Sequence, residues 1–81
     1  MTIRVLLFAA YRDLAGTDVV ELPLEAPTTV GAVLDQLRAA HPGTQALPAR
    51  PLVAVNQVHS RLDAPVRAGD ELALLPPLAG G

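Results

Sequence analysis

The chain contains no cysteine, no tryptophan and no lysine. Without cysteine it forms no disulfide, builds no thiolate metal site and presents no thiol nucleophile. Aromatic residues are almost missing as well: Phe8 and Tyr11 stand alone. Two aromatics cannot make the stacking platform on which single-stranded nucleic acid is held. All six basic residues are arginines and the net charge is −2, so there is no basic stripe for nucleic acid either. No apolar run reaches the length of a membrane span. The start, Met1-Thr2-Ile3-Arg4-Val5, reads as an ordinary strand, not a secretory signal. A cytoplasmic protein is expected.

What is present is apolar. About half of the 81 residues are hydrophobic, mainly Leu, Ala and Val, enough for one small domain with a single core. Thr2 to Ala9 reads as a buried strand, with Ile3, Val5 and Leu7 on one face and Arg4, Leu6 and Phe8 on the other. Ala10 to Gly16 reads as a turn or a short helical piece, and Thr17 to Leu22 as a second strand. A short link between the two strands makes an antiparallel hairpin. Pro23 and Pro27 then interrupt regular structure, and Thr28-Thr29 offers a helix cap. Val30, Val33, Leu34 and Leu37 follow at the spacing of an amphipathic helix, which stops near His41 before Pro42-Gly43. It is the one convincing helix.

Thr44 to Pro51 reads as a loop, Leu52 to Val55 as a strand, Asn56-Gln57 as a turn and Val58 to Leu62 as a weaker extended segment. Asp63-Ala64-Pro65 and Ala68-Gly69-Asp70 are turn chemistry, and Glu71 to Leu75 is the last strand. One helix must bury its stripe on one face of a mixed sheet, with the last strand parallel to the first. The expected class is α+β, in the β-grasp or ubiquitin-like arrangement. The domain is expected over residues 1–77, with a flexible tail over 78–81.

The chain carries no self-contained active site. His41 belongs to the end of the helix, where a histidine complements open carbonyls. His59 has Asp63 four residues away, but no third group completes a nucleophile, base and orienter. The acids are scattered without metal-ligand spacing, and no glycine-rich phosphate loop is present. No bound cofactor and no metal are expected.

The remaining chemistry lies in the final residues, Pro76-Pro77-Leu78-Ala79-Gly80-Gly81. Two glycines without Cβ make a thread thin enough for a narrow slot in a partner enzyme. The Gly81 carboxylate can then be activated as an acyl-adenylate and captured by a sulfur or nitrogen nucleophile. A frayed, inert terminus is the plainer reading. Pro76 and Pro77 lack amide donors, so strand pairing must stop there, and their stiff path aims whatever follows away from the body. Strand parity also sets Phe8 and Leu75 on the face away from the helix. There they form either a docking patch beside the tail or a second small core under loops.

Taken together, Val5-Leu6-Leu7-Phe8-Ala9, Arg12, Gly16, Val55-Asn56-Gln57, Gly69-Asp70-Glu71-Leu72-Ala73 and Pro76-Pro77 before Gly80-Gly81 resemble the small, sulfur-carrying subunits of molybdopterin synthase. The resemblance spans the whole chain. It implies that an E1-like enzyme adenylates Gly81 with ATP and that a sulfur donor converts the adenylate to a thiocarboxylate. The loaded tail would enter the large synthase subunit and give sulfur to cyclic pyranopterin monophosphate. It further implies a heterotetramer of two small and two large subunits, with Phe8, Leu75, Pro76, Pro77, Leu78, Ala79 and Gly80 as partner contacts. His59 departs from the family pattern, in which an apolar residue is common. Carriers for thiamine or tRNA thiolation, and ubiquitin-like modifiers joined to proteins through Gly81, are the alternatives.

Overall fold

Strand β1, Thr2–Leu7, is an inner strand of the main sheet, and its Ile3, Val5 and Leu7 are fully buried. The computed structural model describes residues 1–77; the expected reactive tail, Leu78 to Gly81, lies outside the described residues. Strand β2, Val19–Pro23, pairs antiparallel with β1, as a hairpin requires. Strand β7, Glu71–Leu75, lies parallel to β1 on its other side, with Val5 opposite Leu72 and Leu7 opposite Leu74. Strand β4, Leu52–Val55, follows, and the short β5, Val58–Ser60, closes the sheet in the order β2-β1-β7-β4-β5.

Helix α2, Val30–Ala40, covers one face of this sheet. Its buried residues are the four of the periodic stripe: Val30, Val33, Leu34 and Leu37. The Thr29 side chain caps the start, accepting from the Ala32 amide at 3.2 Å. The amides of Val30 and Gly31 are satisfied by the carbonyls of Ala64 and Leu62, which ties the helix to the segment after β5. At the other end Thr44, fully buried, places its hydroxyl 2.6 Å from the His41 carbonyl and 3.3 Å from that of Leu37. The side chain that bonds carbonyls at this helix end is that of Thr44, not the imidazole of His41.

The short helical piece expected before Gly16 is present, and two further elements depart from the sequence expectation. The link after β1 is a true helix, α1 (Ala9–Ala15), closed by Gly16 in the left-handed conformation at φ 78°. The first strand consequently ends at Leu7, with Phe8 as the extended cap of α1. Residues Pro42–Ala46 form a 3-10 turn that overlaps the start of the loop expected over Thr44 to Pro51. It packs on α1 so closely that a Cβ on Gly43 would lie 2.1 Å from the Leu14 carbonyl oxygen. Thr28–Thr29 (β3) and Pro65–Val66 (β6) pair as a separate two-stranded ribbon. Two-residue strands carry no periodicity, so no pattern announced them.

Candidate functional site

The face of the sheet turned away from α2 carries the site, and cross-strand register arranges its side chains in three tiers. At one end Arg4, paired in register with Glu21 and Glu71, makes a charged tier. The Arg4 guanidinium lies 3.5 Å from the Glu21 carboxylate. Across the middle run His59, Ala54, Ala73, Leu6 and Val19, each opposite the next on the neighbouring strand. Two alanines at the centre make this tier shallow, between the bulk of Leu6 and Val19 on one side and His59 on the other.

The third tier is apolar. Leu52 of β4 pairs with Leu75 of β7, and Phe8 lies one residue beyond the last β1–β7 pair, Leu7 with Leu74. Leu52 is 53 % exposed, Phe8 44 % and, beside them, Val19 40 %. Leu75 is half-buried. Large apolar side chains left open on one contiguous face mark an interaction surface. The exposure of Phe8 and Leu52 excludes the reading of this cluster as a second core under loops.

The turn after Phe8 explains its exposure. Ala9 adopts φ 48°, a left-handed conformation that costs an L-residue about 1–2 kcal/mol. This sharp turn starts α1 directly after the strand and leaves Phe8 outside, while Tyr11 packs into the core at 6 % exposure. The Tyr11 and Arg12 amides both donate to the Phe8 carbonyl, fixing that residue from its backbone.

The chain leaves the sheet from this apolar tier. Pairing of β7 stops at Leu75, and the half-buried Pro76 and exposed Pro77 follow with no amide to donate. Phe8, Leu75, Pro76 and Pro77 therefore sit at one end of one face. Leu78, Ala79, Gly80 and Gly81 lie outside the described residues. Leu6, set beside Phe8 by alternation, completes the face with Leu52 and Val19, which the sequence reading of the site did not include. Their signal was the register: Leu52 falls opposite Leu75 only once β4 is known to neighbour β7.

A polar knot secures the opposite end of the sheet. The β4–β5 hairpin turns on Asn56 and Gln57, both at positive φ. Asn56 donates through Nδ2 to Asp70 Oδ1 at 3.1 Å and accepts from the Glu71 amide at 3.0 Å. Asp70 Oδ2 accepts from the Arg67 amide at 2.9 Å. That amide, then the Asn56 side chain, hold the Asp70 carboxyl below its usual range. The Val55-Asn56-Gln57 and Gly69-Asp70-Glu71 motifs are one structural unit.

Among the described residues no cluster of three or more His, Cys, Asp or Glu could hold a metal. His59 is exposed, and the adjacent Ser60 hydroxyl is engaged with the Val58 carbonyl at 2.8 Å. Nothing in this arrangement forms a nucleophile-base pair. The site is an exposed apolar surface at the end of the sheet from which Pro76 and Pro77 depart.

The sheet order and the helix across one face define a ubiquitin-like β-grasp protein. The ThiS family model matches residues 5–81, and the chain belongs to that family. It is 42% identical to the molybdopterin synthase sulfur carrier subunit of Escherichia coli, over 98% of this chain and 99% of that protein. It is 36% identical to small archaeal modifier protein 1 of Haloferax volcanii, over 93% of this chain and 95% of the relative. The crystal structure of SAMP1 from Haloferax volcanii superposes with a TM-score of 0.88 at 34% identity, covering the whole of both chains.

Proposed function

We propose that this chain is the sulfur-carrying small subunit of a molybdopterin synthase. The observation that carries the reading is the exit of the chain, through Pro76-Pro77, from an open apolar tier made by Phe8, Leu52 and Leu75. Similarity along nearly the full length to the Escherichia coli carrier subunit supports it.

In this reading an E1-like enzyme binds the apolar face and takes the terminal segment into its active site. A Gly81 carboxylate oxygen attacks the α-phosphorus of ATP and pyrophosphate leaves. A sulfur donor then displaces AMP from the acyl carbon, giving the thiocarboxylate. The same face next docks on the large subunit, and the tail sulfur attacks a carbon of cyclic pyranopterin monophosphate, displacing an oxygen leaving group. Water then hydrolyses the resulting thioester, leaving the sulfur on the pterin and a free carboxylate on Gly81. Two such transfers complete the dithiolene. The large subunit supplies the acid-base residues this chain lacks, and the ATP requirement sets the cycle in the cytoplasm. The small subunit is thus one half of a sulfurtransferase, in a heterotetramer of two small and two large chains.

Deleting the gene tests the pathway. Molybdoenzyme activity should disappear while thiamine synthesis and tRNA thiolation continue. Loss of thiamine with molybdoenzymes intact would assign the carrier elsewhere. A second reading, a protein modifier, is favoured by the likeness to the Haloferax modifier. It requires lysine-linked adducts on an immunoblot, which the carrier reading does not produce.

A further inference from the structure

The flanks of the docking face differ in chemistry. On the β2 side it is bordered by Leu6 and Val19. On the β5 side stand His59, in register with Ala54, and then Arg61, the residue after the last β5 pair. Arg50, two residues before Leu52, lies across the open end of the same hairpin. Arg50, Pro51, Ser60, Arg61, Leu62 and Asp63 line one cleft of about 380 Å³.

Among the described residues, Arg4, Arg12 and Arg38 each have a carboxylate within 4.0 Å, whereas Arg50, Arg61 and Arg67 do not, and of these three Arg50 and Arg61 share a cleft. Even Asp63, in the same cleft, pairs with neither. Pro51 is buried and fixes the backbone beside Arg50, so one arginine springs from a rigid base. Two exposed guanidiniums, with planar donors matched to carboxylates, face a cleft that opens beside the apolar tier.

We propose that Arg50 and Arg61, flanked by His59, form a cationic rim that receives an acidic segment of the large synthase subunit. This rests on the docking reading above and adds the charge of the partner's surface. A body seated on Phe8, Leu52 and Leu75 extends past Leu52 over this cleft, because Leu52 is the link between the two. Carboxylates placed there complete two arginines left without an ion pair among the described residues. Rim charges of this kind act mainly on encounter rate and on the choice of partner, while the apolar tier sets the lifetime of the complex.

The test is the association rate of the full chain with its cognate large subunit, followed by stopped flow at low and high salt. The Arg50→Glu/Arg61→Glu variant should associate about tenfold more slowly at low salt, with the difference closing at high salt. Its dissociation rate should stay near that of the unaltered chain. Arg50→Gln/Arg61→Gln should fall between them. Leu75→Asp is the parallel control and should abolish binding. Unchanged association of the charge-reversed chain, with Leu75→Asp inactive, overturns the cationic rim and leaves the docking face standing. Full binding by Leu75→Asp instead overturns the docking face itself.

Discussion

Asn56 and Asp70 are separated by 14 positions and joined side chain to side chain, Nδ2 to Oδ1, at 3.1 Å. Through this bond the β4–β5 turn is fastened to the start of β7. Strand β7 supplies Leu75 to the docking face, so the knot at one end of the sheet sets the strand that ends at the other.

Replacing Asn56 with alanine removes both side-chain hydrogen bonds and leaves a β-carbon residue at φ 49° without the asparagine preference for that conformation. Destabilisation of about 1–2 kcal/mol is expected, since the bonds are exposed and only one engages a charge. Urea unfolding of the two proteins measures it.

Acid should weaken the same knot. The Arg67 amide and Asn56 lower the Asp70 carboxyl from 3.8, so the folded state releases its proton more readily than the unfolded chain. The resulting stability is complete above the ordinary value and is lost as pH falls through the lowered one. Asp70→Asn lacks this contribution. The stability gap between the two proteins should be widest near neutral pH and shrink below about pH 3.8, as read from unfolding curves across that window.

Gly43 is held by space, not by backbone angle. An added Cβ would collide with the Leu14 carbonyl at 2.1 Å, and backbone cannot swing aside as a side chain can. Gly43→Ala should cost about 3 kcal/mol, near the upper part of the overpacking range. Gly16→Ala meets no atom within 4 Å and suffers only its φ of 78°, a loss of about 1–2 kcal/mol. Thermal unfolding of the pair separates the two causes.

On the docking face, Phe8→Ala and Leu75→Ala should each weaken the complex with the large subunit by about 2 kcal/mol, near 30-fold in Kd, as central apolar anchors do. Circular dichroism should be unchanged, because Phe8 is 44 % exposed and Leu75 half-buried. Calorimetric titration gives the affinity.

The main elements were legible because their periodicities were clean. Alternation in Ile3-Arg4-Val5-Leu6-Leu7 named the buried face, and the spacing of Val30, Val33, Leu34 and Leu37 named the helix. Asn56-Gln57 was legible as a turn, but its bond to Asp70 was not, because no local pattern links residues so far apart. Helix α1 was legible only as a turn or a short helical piece before Gly16, because seven residues are too few to display a stripe. Phe8 and Leu75 could be set on one face by parity alone. Leu52 could not, since its part in the face depends on which strand β7 chooses as a neighbour. The chemistry of Gly81 was read from composition and resemblance, and lies outside the described residues.

Central to the account is sulfur on Gly81. The purified chain, incubated with ATP, sulfide and its cognate activating enzyme, should be weighed intact by mass spectrometry and then fragmented. A gain equal to the replacement of one oxygen by sulfur, mapped to Gly81 and missing when ATP is withheld, is the expected result. An unchanged mass, with an activating enzyme shown to be competent on another carrier, would contradict the account.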